Sequence, residues 1–369
     1  MKKILVFGMT PLHGGVESFL INYYHHMDHQ KLHFDFLCNF SVPIACEEEL
    51  RRDGCRVYHI TPKRENFFRY QKELHAFFKE HGREYDVFWQ NVNELANIEY
   101  LVLAHRYGIP KRIIHSHNSR STGGIRQKIL HRLNKSRIDR YATDFWACSE
   151  SAAKWFYRPA LIQKAVIIHN AIDLQKYSFD GDKRRDFRDR YVHGDAYAIG
   201  HVGRLNFQKN QSFLLEIFKA FTCREKDAVL FLVGEGEDLD SLQQKVKALG
   251  LEKQVFFMGN QNDMQGWLSC FDLFLFPSLF EGLSIAALEA QANGVPVLAS
   301  KGVVPEQLRL NDNFHFFSLN NTAEEWAEEA IQIKEHGKRV LEGQIRANFQ
   351  KAGFDISTEA PKVQKMLLE

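Results

Sequence analysis

Short apolar runs alternate along this chain with longer stretches of helical period, and the alternation comes in two successive series. This is the pattern of βαβ units. A parallel strand buried on both faces reads as an unbroken apolar run, and the crossover to its neighbour is a helix with one apolar stripe. The first series predicts strands over Lys3–Phe7, Phe34–Cys38, Arg56–Ile60, Asp86–Gln90, Arg112–His115, Phe145–Cys148 and Ala165–Ile168, with helices such as Val16–His26 and Phe67–His81 between them. The second predicts Tyr197–Val202, Val229–Val233, Val255–Met258, Leu273–Phe276, Val295–Ala299 and Phe314–Ser318. A chain of 369 residues exceeds one ordinary core. The two series are therefore read as two doubly wound α/β domains, over residues 1–180 and 195–350. The charge-dense stretch DGDKRRDFRDRYVHGD, from Asp180 to Asp195, has no strand pattern and is read as the linker. Residues 351–369 are expected to form a helical segment packing back on the first domain, with Pro361 in the first turn of the last helix, where its missing N–H does no harm.

Charge excludes one function class. Lys and Arg number 48 against 46 acids, so nothing marks the chain as a nucleic-acid binder. The distribution is uneven, however: between His105 and Arg140 ten basic side chains face the single acid Asp139. A helix expected from Gly124 to Arg140 repeats Ile125, Ile129 and Leu133 among Arg126, Lys128, Arg132 and Lys135, a pattern that suits an anionic membrane surface. The six cysteines form no CxxC pair, so no zinc site or disulfide framework is expected and a reducing cytoplasm fits. No apolar stretch is long enough to span a bilayer, and the run Ile4–Phe7 is too short for a signal-peptide core. The location expected is cytoplasmic; the pattern of the Gly124–Arg140 helix fits equally a solvated helix packed on the sheet and one resting on the inner face of the plasma membrane, which would make the chain peripheral there.

The chemistry concentrates in the second half. From Phe276 to Pro296 an apolar strand ends, a loop carries Glu281 and Gly282, and a helix carries Glu289 until Gly294 stops it. Ligands of open parallel sheets bind beyond the carboxyl ends of strands, and a carboxylate there accepts paired hydroxyls of a sugar or ribose. Upstream, Gly203-Arg204 follows the first strand of the second series, with Lys209 five residues on; a guanidinium fork and an ammonium at a strand end suit a diphosphate. The Gly14-Gly15 turn lets backbone N–H groups approach a ligand, but adjacent glycines are not a dinucleotide fingerprint. Asp238-Leu-Asp240 looks like a metal motif, yet it falls at a helix start where acids are expected as caps, and no metal is assigned.

With seven residues between Glu281 and Glu289, and Gly203-Arg204 and Lys209 ahead of them, the chain resembles family 4 of the retaining GT-B glycosyltransferases, closest in spacing to members that build bacterial capsular and exopolysaccharides. Gly14-Gly15-Val16-Glu17, His115 and His117 in IIHSHNS, the Asn170–Asp173 turn and Val233–Gly236 fall in the order such enzymes show, across nearly the whole chain. The resemblance implies a GT-B fold, two Rossmann-like doubly wound domains facing each other across a cleft, the first binding acceptor and the second binding the nucleotide sugar. It implies retaining, metal-independent transfer of a hexose or N-acetylhexosamine from a nucleotide diphosphate sugar, UDP first, to a polysaccharide or lipid-linked saccharide, with no cofactor. Arg204 and Lys209 would neutralise the diphosphate and Glu289 would hold the ribose. Glu281, with the Gly282 and Leu283 amides, would hold the transferred sugar, which His117 lines. His115, on the same strand face, is the second choice. The pattern is departed from at Ala171, where relatives carry glycine, and at Val303. Two other readings are weighed: a sugar-nucleotide epimerase of the same fold, which turns over donor without acceptor, and a non-catalytic sugar-nucleotide-binding partner of a polysaccharide assembly complex.

Overall fold

The computed structural model of the chain describes residues 1–12, 14–119, 124–281 and 283–369. It divides into two compact units, one comprising Met1–Ala171 with Ile356–Glu369 and the other Ile172–Asp355.

The first unit is built on a seven-stranded sheet: β1 (Lys2–Phe7), β2 (Leu32–Cys38), β3 (Val57–His59), β4 (Val87–Val92), β5 (Lys111–Ser116), β6 (Asp144–Ala147) and β7 (Val166–Ile167), in the order β3-β2-β1-β4-β5-β6-β7. Every pairing is parallel. Period-two alternation splits its apolar side chains between two cores, so Ile4 and Val6 pack on one face and Leu5 on the other. The second unit repeats the plan with β8 (Tyr197–Val202), β9 (Ala228–Val233), β10 (Val255–Gly259), β11 (Leu273–Phe276), β12 (Val297–Ser300) and β13 (Phe314–Phe317), ordered β10-β9-β8-β11-β12-β13. Both sheets are Rossmann-like. In each, the winding reverses once, between β1 and β4 in one and between β8 and β11 in the other, and a crevice opens at the carboxyl ends of strands where winding reverses.

Two expectations need correction. The stretch read as a linker is the helix Gly181–Tyr191, capped by the Asp180 side chain. Its charges are used in ion pairs, Lys183 with Asp263 and both Arg184 and Arg188 with Asp272, while Phe187 and Tyr191 lie against Trp267. The chain passes between units at Ala171 and Ile172 instead. Pro361 lies inside the helix Ile356–Leu368 rather than in its first turn. Burial of Ile356, Ala360, Val363 and Leu367 in the first unit's core holds the helix through the missing N–H. Ala171, where glycine was expected, is buried in that same core.

Candidate active site

In the second unit the loops after β8 and β11 are stitched together across the reversal point. Gln208 donates from Nε2 to the Phe280 carbonyl at 3.0 Å and accepts at its own carbonyl from the Leu279 amide at 2.8 Å. Asn210, in the left-handed conformation with φ 57°, donates to the Pro277 carbonyl at 3.0 Å. A short turn over Phe207–Lys209, held by the Asn206 side chain, then delivers Lys209. Its ammonium meets Glu281 Oε1 at 2.8 Å and lies 4.8 Å above the Phe276 ring. The pair is well shielded, with the lysine side chain 16% and the glutamate side chain 4% exposed. Two residues assigned separately from sequence thus form one ion pair. Arg204 is not part of it: its guanidinium is exposed and bonds Glu237 at 3.0 Å. A surface pair of that kind contributes at most about 1 kcal/mol, so an incoming anion redirects it easily.

The loop after β9 packs directly against this one. Leu205 donates its N–H to the Glu235 carbonyl at 3.0 Å and accepts from Asp238 at 3.1 Å. A Cβ on Gly236 would stand 2.1 Å from the Leu205 carbonyl oxygen, and one on Gly234 would stand 2.2 Å from that of Gly203. Glycine at both places is what lets the β8 loop, with Arg204, lie where it does. Asp238 is the N-cap of the helix Leu239–Leu249, although its side chain makes no cap hydrogen bond.

Glu289 sits in the helix Ile285–Asn293, capped by Ser284 and ended by Gly294 in the left-handed conformation. Burial raises the pKa of its carboxyl above the ordinary carboxylate value, with the neighbouring Tyr177 opposing the shift. Tyr177 was missed from sequence. It ends a four-residue helix, Leu174–Tyr177, whose N-cap is Asp173 of the noted Asn170–Asp173 turn. Leu283 packs against the core beside this helix, and Gly282 lies outside the described residues.

In the first unit, Gly14 is the N-cap of the helix Gly15–His25, and it supplies no side chain of its own. Glu17, three residues on, is buried and accepts from the Thr10 N–H at 2.8 Å, which fixes the loop after β1. His117 follows β5, its N–H bonded to the Val92 carbonyl and its Nε2 2.8 Å from Asn91 Oδ1. Burial pushes its pKa down to about 3, so the imidazole is neutral. His115 lies beneath it with ring centroids 4.2 Å apart, fully buried and, by burial and the neighbouring His117, held well below the usual histidine range. It is a core residue. Asn91 was not singled out from sequence.

The basic helix is shorter than expected, ending at Lys135 with Ser136 as its C-cap. Its inward side is polar: His131 Nδ1 accepts from the Leu95 N–H at 3.1 Å, and Asn134 donates to the Leu95 carbonyl at 2.7 Å. Ile125, Ile129 and Leu133 are exposed. Among the described residues no helix is long and apolar enough to cross a membrane.

Comparison with known proteins agrees with this architecture. Residues 182–354 match the family model of glycosyl transferases group 1. EpsF of Bacillus subtilis, named as a glycosyltransferase, is 28% identical over 351 residues, covering 93% of this chain and 90% of that protein. The UDP-Gal:alpha-D-GlcNAc-diphosphoundecaprenol alpha-1,3-galactosyltransferase of Escherichia coli is 31% identical over 142 residues, 37% of this chain and 36% of that protein. The crystal structure of Anabaena HepE in complex with UDP superposes with a TM-score of 0.79 at 20% identity, covering 100% of this chain and 99% of that one. At that identity the likeness speaks for the GT-B fold.

Proposed function

We propose that this chain, whose second unit matches the group 1 glycosyl transferase family, is a glycosyltransferase that moves a hexose or N-acetylhexosamine from a nucleotide diphosphate sugar to a polysaccharide or lipid-linked saccharide, with retention and without a divalent metal. One observation carries the reading: a shielded Lys209–Glu281 pair at the carboxyl ends of β8 and β11, where the sheet reverses its winding. Lys209 and Arg204 meet the charge of the departing diphosphate. Glu281, with Leu283 and Gly282 beside it, holds the transferred sugar, and Glu289 holds the ribose. The same reading gives the backbone N–H groups of the Gly14-Gly15 turn and His117 a part in substrate binding. The bond from the anomeric carbon to the phosphate oxygen breaks as the bond to the acceptor oxygen forms on the same face, and the acceptor's proton passes to that phosphate oxygen. No enzyme nucleophile is needed. UDP is the favoured nucleotide, supported by the HepE complexes with UDP and UDP-glucose. The Escherichia coli relative is named for a diphosphoundecaprenol-linked sugar, which favours a lipid-linked acceptor here.

The outward apolar stripe of Ile125, Ile129 and Leu133, flanked by Arg126, Lys128 and Arg132, supports peripheral binding at the anionic cytoplasmic leaflet. A thermal-shift panel of UDP-, GDP- and ADP-sugars identifies the donor, since a ligand at about 100 times its Kd stabilises by about 2.7 kcal/mol. With that donor, NMR of the product is expected to show the donor's anomeric configuration, and transfer is expected to survive chelator. Inversion, loss of turnover with chelator, or full activity after alanine at both Arg204 and Lys209 would overturn the proposal.

A further inference from the structure

We infer that His201 and Gln211 are positioning residues: a buried relay of hydrogen bonds, running from β11 through both side chains to the Arg204 carbonyl, holds the loop that carries Arg204 and Lys209 in its diphosphate-binding place. The role rests on the proposed reading of those two cations as partners of the diphosphate. Neither His201 nor Gln211 touches the substrate.

Both residues are buried, His201 at 0% and Gln211 at 1% exposure. His201 stands on β8, and Gln211 opens the helix Gln211–Thr222 that follows the Lys209 turn. The relay has one sense. His201 Nδ1 lies 2.9 Å from the Leu275 carbonyl on β11, and a carbonyl oxygen only accepts, so Nδ1 carries the hydrogen. Burial pushes the ring's pKa down to about 4, so the imidazole is neutral and its Nε2 is bare. Gln211 Nε2 lies 3.2 Å from that bare nitrogen and 2.9 Å from the Arg204 carbonyl oxygen. Its two hydrogens serve these two acceptors. Turning the amide over would set Oε1 against both of them, lone pair against lone pair. Oε1 is buried and has no hydrogen-bond partner among the described residues, so the seat of this amide is chosen by what its nitrogen reaches.

The relay acts on one small region. Asn210, the neighbour of Gln211, bonds the Pro277 carbonyl, so two successive side chains at one helix start grip the loops after β8 and after β11. His201 lies beside Phe276 with ring centroids 5.9 Å apart, and the Lys209 ammonium sits over that same ring. A Cβ on Gly203 would come 3.1 Å from Lys209 Cε and 3.3 Å from its Cδ, so the lysine stem runs along the backbone just ahead of Arg204. A shift of the Arg204 carbonyl therefore moves the seats of both cations. Glu289, the proposed ribose ligand, belongs to the helix Ile285–Asn293, which none of these bonds reaches. Loss of the relay is thus expected to weaken the grip on the diphosphate and to spare the nucleoside.

Gln211→Met keeps the length of the side chain and removes both donated hydrogens. The full chain is titrated with UDP, or with GDP or ADP where the thermal-shift panel selects one of those, and with the matching nucleoside. Gln211→Met is expected to weaken the diphosphate about 10-fold, the scale of one lost buried hydrogen-bond partner, and to leave the nucleoside within about twofold. In a chain with alanine at Arg204 and Lys209, adding Gln211→Met is expected to cost no further affinity, because no cation remains to be misplaced. His201→Gln, whose Oε1 can stand where the bare Nε2 stood, is expected to keep more diphosphate affinity than His201→Leu. Equal losses for nucleoside and diphosphate, or a Gln211→Met loss that persists without the two cations, overturn the positioning role. ¹⁵N-labelled histidine tests the relay without any variant having to bind: His201, assigned by comparison with His201→Gln, is expected to carry its proton on Nδ1 at neutral pH, and a proton on Nε2 overturns the relay. The two readings fail differently. Diphosphate binding that survives alanine at both Arg204 and Lys209 overturns the reading of the cations, whereas binding that needs them and is untouched by Gln211→Met overturns the relay alone.

Discussion

Glu281→Gln removes the carboxylate that holds the Lys209 ammonium at 2.8 Å while keeping the side chain's shape and one acceptor oxygen. In the parent the ammonium's charge is already matched by a carboxylate whose side chain is 4% exposed. A phosphate oxygen bound to the same ammonium stands about 5 Å from that carboxylate, because two hydrogen bonds then radiate from one nitrogen. Two unit charges at that distance repel by about 0.8 kcal/mol in a water-like dielectric and about 3.3 kcal/mol in that of a protein surface. Removing the carboxylate is therefore expected to tighten UDP binding by about 1–3 kcal/mol, or about 5-fold to 150-fold in Kd. Turnover moves the other way, by about 10² to 10³ in kcat, because a preorganised contact to the reacting sugar is lost. The ligand-free variant also keeps a mostly shielded, unpaired ammonium and loses about 3 kcal/mol of stability, the low end for breaking a buried pair since Lys209 retains 16% exposure. Calorimetric titration with UDP, melting with and without UDP, and initial rates of transfer read the three effects separately. A Glu281→Gln chain that binds UDP no more tightly than the parent, or that keeps its turnover, refutes this electrostatic account.

Gly236→Ala drives a Cβ to 2.1 Å from the Leu205 carbonyl oxygen and parts the loops after β8 and β9; a loss of about 1–3 kcal/mol is expected, with weaker UDP binding, and an unchanged melting temperature would count against the packing argument. Glu289 titrates above 4.5 because burial disfavours its charge, so UDP affinity is expected to fall as pH drops through that raised value, a step that Glu289→Gln abolishes in titrations across the acid range. Its effect on stability has the opposite sign: the fold binds this proton more tightly than the unfolded chain, so the contribution is largest below 4.5 and declines as pH rises through the folded value, which denaturation at several pH values reads. Replacing Ile129 and Leu133 together by Glu is expected to abolish co-sedimentation with anionic vesicles without changing the melting temperature. Equal binding of the parent to neutral and anionic vesicles sinks the membrane proposal.

What the sequence disclosed followed from periodicity. Strands such as β9 and β11 are buried along their whole length and read as plain apolar runs, so their existence was legible. Strand order is decided by which crossovers reverse, and no local pattern encodes that. The meeting of Lys209 with Glu281 was hidden for the same reason: 72 positions separate them, and the bonds that align their loops, Gln208 with Phe280 and with Leu279, involve residues with no motif of their own. The helix Gly181–Tyr191 was misread because charge density marks a linker or an ion-paired helix face equally well, and only the positions of Asp263 and Asp272 decide between them. A signal for Glu17 was present, an acid three residues after the cap position Gly14.

The two reversal points differ in chemistry. The one between β8 and β11 carries full charges, Lys209 and Glu281, with Arg204 five residues before Lys209 and paired to the exposed Glu237, and suits a ligand that is itself an anion. The one between β1 and β4 presents neutral groups: a glycine-capped helix start, the Asn91 amide and an imidazole whose pKa lies near 3. Neutral groups with fixed donor and acceptor directions discriminate among hydroxyls, because an analogue lacking the hydroxyl leaves a buried nitrogen unpaired. Nucleotide preference is therefore expected to follow substitutions around Lys209 and Glu289, and sugar preference those around Asn91 and His117. Exchanging Asn91 and His117 for a relative's residues should change which epimer is accepted while leaving the Kd for UDP within about twofold; a shift in UDP affinity as large as the shift in sugar preference would show that the assignment is wrong.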